Sequence, residues 1–249
     1  MASFDTPRVL FDLCTGKICT CHVYTHTKPA SLCGHLLPEE LIELYRADGA
    51  HGIVITNHLN TYSKGDRSDE QYAADYLADY YATKKAVEDT DFSVSLGVEI
   101  RFDGKDKDDK NDYLIYGVEP EEILPMVKAL KLGIEEFYKQ FKREDNLILQ
   151  AHPFRDGVTL APLSSLDGIE VFNFHPGHNS RIAWAAKYAK ENSLLISGGS
   201  DVHRTNRACS CFLRTKEPIR NSFDVVRALR SRDILFETWG NLILPYYED

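Results

Sequence analysis

Four of the nine histidines fall where a chain of alternating strands and helices would gather them. His26 ends one β-branched run, His58 follows "GIVITN", His152 follows "LILQA", and His203 closes "ISGGSDVH". Two carboxylates share the pattern: Glu99 near the end of "SVSLGVEI", and Asp201 two residues before His203. Imidazoles and carboxylates drawn from several strands suit Zn, Mn or Fe. A carboxylate such as Glu99 can bridge two ions, and ions about 3.5–4 Å apart can clamp both oxygens of an in-line phosphoryl displacement. A single histidine at a strand end is as readily an ordinary hydrogen-bonded residue. Four so placed are harder to assign to chance.

The segment "CHVYTHT", residues 21–27, raises a separate question. In a β-strand His22, Tyr24 and His26 share one face. Histidines two apart would make a metal clamp, but here a tyrosine stands between histidines four apart. A phenol is a poor ligand at its usual pKa of about 10. His22 lies one pleat further along, about 6.6–6.8 Å from Tyr24.

These groups need a scaffold to bring them together. Apolar or β-branched runs at 22–26, 52–56, 93–100, 113–116, 147–151, 168–172 and 194–197 predict seven strands, most of them covered on both faces. Helical patterns separate most of them. Pro38-Glu39-Glu40 opens one helix and Ser68-Asp69-Glu70 a longer one, whose Tyr72, Tyr76 and Tyr80 form a stripe read as packing. Segments 121–132 and 134–141 break near Gly133, Asn179-Ser180 caps a helix through Ala189, and Ser222 caps another. The third connection is short and not helical. Its charge run, "DGKDKDDKND" at 103–112, reads as a solvated loop or hairpin tip. Strand–helix alternation predicts a parallel sheet, either closed as a barrel or open. No glycine-rich phosphate loop follows the first strand, which disfavours a nucleotide-binding open sheet. In a parallel barrel the C-terminal strand ends share one mouth, and the histidines and acids would meet there.

The 249 residues, 43% hydrophobic and 27% charged, suit a single globular domain over 1–249. No apolar run reaches membrane-span length and no secretion signal opens the chain, so a cytoplasmic protein is expected. A net charge of −9 disfavours long nucleic acids but allows a small anionic substrate in a local basic pocket. The six cysteines read as thiols, and Cys19, Cys21 and His22 lack structural-zinc spacing.

The ordered segments "YTHTKPAS", "GIVITNH", "LGVEI", "QAHPFR" and "ISGGSDVH" resemble the motifs of the PHP (polymerase and histidinol phosphatase) superfamily, from about Cys21 to His203. The resemblance implies a distorted seven-stranded (β/α)7 barrel with two or three divalent ions at its C-terminal mouth and phosphoric ester hydrolysis, as in histidinol-phosphatase-like enzymes. Carried over residue by residue, it implies His26, His58, Glu99, His152, Asp201 and His203 as ligands. Tyr24 stands where the family has the first of two histidines. A ligand between 27 and 35 maps to Cys33, with His35 second, and a family histidine after strand four maps loosely to Glu119. The implied partition places His26, Glu99 and Asp201 on one ion and His58, His203 and the Cys33 region on another. His152 and Glu99 would serve a third.

Asp201 is also the candidate proton acceptor. For phosphate recognition, guanidinium offers paired hydrogen bonds, and Arg155 and Arg181 rank ahead of Arg204 and Arg207. Asn173, His175 and His178 in "NFHPGHN" line the same opening or simply form a turn. The leading expectation is a metal-dependent phosphoesterase on a small phosphorylated molecule. The alternatives are a nuclease or nucleotide phosphodiesterase on short substrates, and a catalytically weakened metal-binding regulatory protein.

Overall fold

The structure, a computed structural model, describes residues 19–25, 37–103, 110–175, 177–201 and 210–246, with the backbone alone for 19–25. His26, Cys33, His35, His203, Arg204 and Arg207 lie outside the described residues, as do the side chains of His22 and Tyr24.

Strand β1 (Cys19–Thr25) precedes helix α1 (Pro38–Ala47) and strand β2 (Gly52–Ile55). A bend at Thr56-Asn57 leads into β3 (His58–Leu59), followed by α2 (Thr61–Lys64) and α3 (Asp69–Lys85). Next come β4 (Ser93–Leu96), a bend at Gly97, and β5 (Val98–Ile100), then β6 (Tyr113–Tyr116). Helices α4 (Ile123–Lys128) and α5 (Ile134–Phe141) lead to β7 (Leu147–Gln150) and β8 (Gly168–Asn173). The remainder is α6 (Ile182–Glu191), β9 (Leu195–Gly199), β10 (Cys211–Thr215), α7 (Ser222–Ser231), β11 (Ile234–Thr238) and β12 (Asn241–Ile243). No helix among the described residues is long and apolar enough to cross a membrane.

Helix starts follow side-chain chemistry. Ser68 Oγ accepts from Gln71 N at 3.1 Å to cap α3, and Gly133, at φ 79°, separates α4 from α5. Ser222 departs from expectation. Asn221 is the cap of α7, and Ser222 Oγ instead accepts from Gly117 N at 2.7 Å and Val118 N at 3.2 Å. Asn179 caps no helix either. Its Oδ1 accepts from Arg181 N at 3.0 Å within a turn, and α6 begins at Ile182 after Arg181 in the left-handed region.

The seven expected strands are present, with the second and third bent in two. Together with β10, β11 and β12 they form two six-stranded sheets, in orders β12-β11-β10-β1-β2-β4 and β3-β5-β6-β7-β8-β9, rather than one closed parallel ladder. The bent strands join the sheets. Ile55 stands opposite Leu96 and His58 opposite Glu99, so parallel register is unchanged across the bends. Gly97 is required at this bend, because a Cβ there would lie 2.8 Å from Thr56 Cγ2 and 3.1 Å from Val54 Cγ1. At the edge of the second sheet β9 lies beside β1 and β10, interior strands of the first.

Strand polarity also corrects the all-parallel expectation. β6 is antiparallel to both β5 and β7, so the chain returns beside β5 instead of crossing over the sheet. β10 runs antiparallel to β1, and β11 and β12 extend the same sheet, so the C-terminal segment covers a strand edge. Ile53, Leu114, Ile148, Leu149 and Val171 are fully buried, as strands covered on both faces require.

Candidate metal centre

Glu99, from β5, is completely buried and lies at the centre of the cluster. His58, at the start of β3, places Nδ1 2.6 Å from Glu99 Oε2. His152, just past β7, places Nε2 3.6 Å from both Glu99 Oε1 and Asp112 Oδ2. At that distance these are charge contacts rather than hydrogen bonds. His58, Glu99 and Asp112 present ligand atoms within 4.8 Å of one another. The cluster continues through β8: Glu170 Oε2 accepts from His152 N at 3.0 Å and from Asn173 Nδ2 at 3.1 Å. Asn173 Nδ2 also lies 3.2 Å from Asp201 Oδ2. His58, Glu99, His152 and Asp201, expected together from sequence, thus belong to one network, in which all but the partly exposed His58 are buried.

The backbone is unusual at two of these positions. His152 has φ 30° and Asp201 φ 49°, a region that disfavours residues with side chains. Such strain persists where surrounding contacts hold it and is common at functional sites.

Electrostatics shows what the cluster needs. Glu99, Asp112, Glu170 and Asp201 are all buried. Burial pushes the Glu170 carboxyl up to about 8, with His152 opposing the rise and Asp201 adding to it. Burial disfavours the His152 imidazolium, yet the Glu99, Asp112 and Glu170 carboxylates outweigh it and raise the group to about 9. Carboxylates buried this closely need compensating charge, which protons on Glu170 and His152 or bound cations can supply. Among the described residues, buried His152 Nδ1 and Glu170 Oε1 have no hydrogen-bond partner. The donor set, two imidazoles and several carboxylates, fits divalent cations.

Helix α3 fastens the bent strands from behind. Tyr76 Oη donates to Asn57 O at 2.8 Å and lies 3.3 Å from Gly97 O, so it touches both bends. Tyr72 Oη donates to His58 O at 2.9 Å, and Asn57 Nδ2 donates to Asp79 Oδ2 at 2.7 Å. The tyrosine stripe therefore packs and also anchors the backbone that carries His58 and Glu99.

Sequence reasoning missed Asp112 and Glu170 and misplaced one position. Because β6 is antiparallel, its beginning reaches the centre and its end points away. Glu119, beyond that end, instead opens the turn before α4, accepting no role at the cluster, and Asp112 stands at the centre. Asp112 was legible only as the last acid of a charge run. Glu170 carried a clearer signal: a carboxylate inside the apolar run "GIEVF" must be paired when buried.

Beside Asn173 lies a cavity of about 340 Å³ lined by Phe174, His175, His178, Ser180 and Arg181, among others. The His175 and His178 rings stack at 4.7 Å, and the Arg155 guanidinium meets His178 Nε2. Arg181 reaches this cavity but is engaged, donating to Phe154 O and Asp156 Oδ1, each at 2.5 Å.

No protein-family model matches the chain, and no curated protein does. Solved structures do match. A two-domain protein from Bacteroides vulgatus containing a predicted PHP-like metal-dependent phosphoesterase superposes with TM-score 0.58 and 16% identity, over 91% of this chain and 66% of its own. PsfC from Pseudomonas syringae gives TM-score 0.59 and 12% identity, over 84% of this chain and 87% of its own. A candidate metal-dependent phosphoesterase from Bifidobacterium adolescentis gives TM-score 0.51 and 18% identity, over 84% and 95%. The chain shares their fold. At these identities the likeness concerns architecture alone, an α/β fold of PHP-like type. The chain spans about two thirds of the Bacteroides protein.

Proposed function

We propose that this chain is a metal-dependent phosphoesterase acting on a small phosphorylated molecule, with the two sheets serving as halves of a distorted barrel. The observation that carries the reading is the convergence of His58 with the buried Glu99, His152 and Asp201, with Asp112 and Glu170 adding carboxyl groups that divalent cations would hold ionised. Bound divalent ions would acidify water and polarise a phosphoryl oxygen. In this reading His58, Glu99, His152 and Asp201 hold the ions, joined by His26, Cys33 and His203. Asp201 accepts the proton of the attacking water on a carboxylate oxygen, its orientation set by Asn173. The cavity beside Asn173 takes the body of the substrate, and Arg181 at its wall, with Arg155 against His178, would exchange their present partners for phosphate oxygens.

The test is to purify the protein without chelators, determine metal per chain, and assay a phosphomonoester, a phosphodiester and a nucleotide panel with Zn, Mn and Fe(II). Monoester turnover that disappears in His58→Ala and Asp201→Ala, with circular dichroism unchanged, is the expected result. Bound metal without turnover on any substrate would refute it.

A further inference from the structure

Arg101 lies two residues beyond Glu99, so their side chains leave the same face of the chain. In the antiparallel β5–β6 pair Ile100 stands opposite Tyr113, which sets Arg101 opposite Asp112. The two close as a fork: Arg101 Nε donates to Asp112 Oδ1 at 2.7 Å and Nη2 to Oδ2 at 2.5 Å. Asp112 is buried, whereas the Arg101 side chain is 39% exposed. The same Asp112 Oδ2 lies 3.6 Å from His152 Nε2, so the guanidinium is fixed at the rim of the centre. Its backbone is fixed as well, with Arg101 N donating to Leu59 O at 3.2 Å.

This pairing changes what Asp112 can do. A carboxylate with both oxygens engaged by one guanidinium is a weakened metal ligand, and an ion on Oδ2 would lie within a few ångström of a like charge. At the open rim of this corner the cation is Arg101, since His152, which also faces Glu99 and Asp112, is buried. We propose that Arg101, clamped by Asp112, is itself the cation of this corner and binds a phosphoryl oxygen of the substrate where a third divalent ion would otherwise sit. The inference rests on the phosphoesterase reading of the same centre. It makes the site a two-ion centre completed by a guanidinium.

The experiment compares the full-length wild type with Arg101→Met and Arg101→Lys, each equilibrated with Mn(II). Metal per chain is measured by mass spectrometry, and inorganic phosphate binding by calorimetry. The wild type should hold two ions. Arg101→Met should hold at least as many while its phosphate affinity falls tenfold or more, and Arg101→Lys should recover part of the loss. A third ion in the wild type, undetectable phosphate binding, equal affinity in Arg101→Met, or a loss that only follows lost metal would each overturn the proposal. If Arg101→Met does not fold, Arg101→Gln, which keeps a donor toward Asp112, is judged by the same criteria. A metal-loaded wild type that binds phosphate yet turns over no phosphoester would defeat the hydrolase reading alone, leaving the affinity comparison to decide the role of Arg101.

Discussion

Replacing Asp79 with asparagine should stabilise the protein at neutral pH, and by an amount that depends on pH. Asp79, on α3, is only 3% exposed, and its Oδ2 accepts from Asn57 Nδ2 at 2.7 Å. Burial raises its carboxyl from 3.8 to about 6; the Asn57 bond opposes the rise and Glu39 adds to it. The folded protein thus holds this proton more tightly than the unfolded chain does. Its contribution to stability is fully present at pH values below 3.8 and is lost as pH rises through about 6. A difference of roughly 2 pKa units corresponds to about 3 kcal/mol at full ionisation. Asp79→Asn retains an acceptor for Asn57 and removes the charge. Urea unfolding of chelator-treated proteins should therefore show the variant ahead by about 2–3 kcal/mol at pH 8 and by under about 1 kcal/mol at pH 4. A gap that does not change with pH, or a less stable variant at pH 8, would refute this account of Asp79.

Removing the Tyr76 hydroxyl by Tyr76→Phe withdraws the donor shared by Asn57 O and Gly97 O. The expected cost is about 1–2 kcal/mol in urea unfolding together with weaker Mn(II) binding, whereas Tyr80→Phe should leave metal binding unchanged. Gly97→Ala should destabilise by about 1–3 kcal/mol, since the new methyl would meet Thr56 and Val54 side chains at the bend, and metal content should fall with it. Mn(II) at a hundredfold excess over its Kd should stabilise the wild type by about 2.7 kcal/mol for each ion bound, seen as a higher Tm, and EDTA should reverse the gain. Absence of that shift would argue that the carboxylate cluster is balanced by protons instead.

The sequence by itself determined the alternating elements and the positions from which the main acids and imidazoles are presented. A β-branched run buried on both faces is legible as a strand without knowing its partners, so Glu99, His58, His152 and Asp201 could all be placed at strand ends directly, and the fold brings them into one network. Strand direction was a different matter. Nothing local in "YLIY" records whether its neighbours run with it or against it, and β6 proved antiparallel, exchanging Glu119 for Asp112 at the centre. The partnership of Arg101 with Asp112 likewise exists only through cross-strand register, with the charge run between them obscuring it. The tyrosines of α3 show the same limit: their 3.6-residue period announces a buried face, but the backbone oxygens they meet belong to strands folded against that face. Periodicity is carried by neighbours in the chain, whereas direction, register and the charge balance of a buried cluster are set by residues distant in sequence, which only tertiary structure brings within reach.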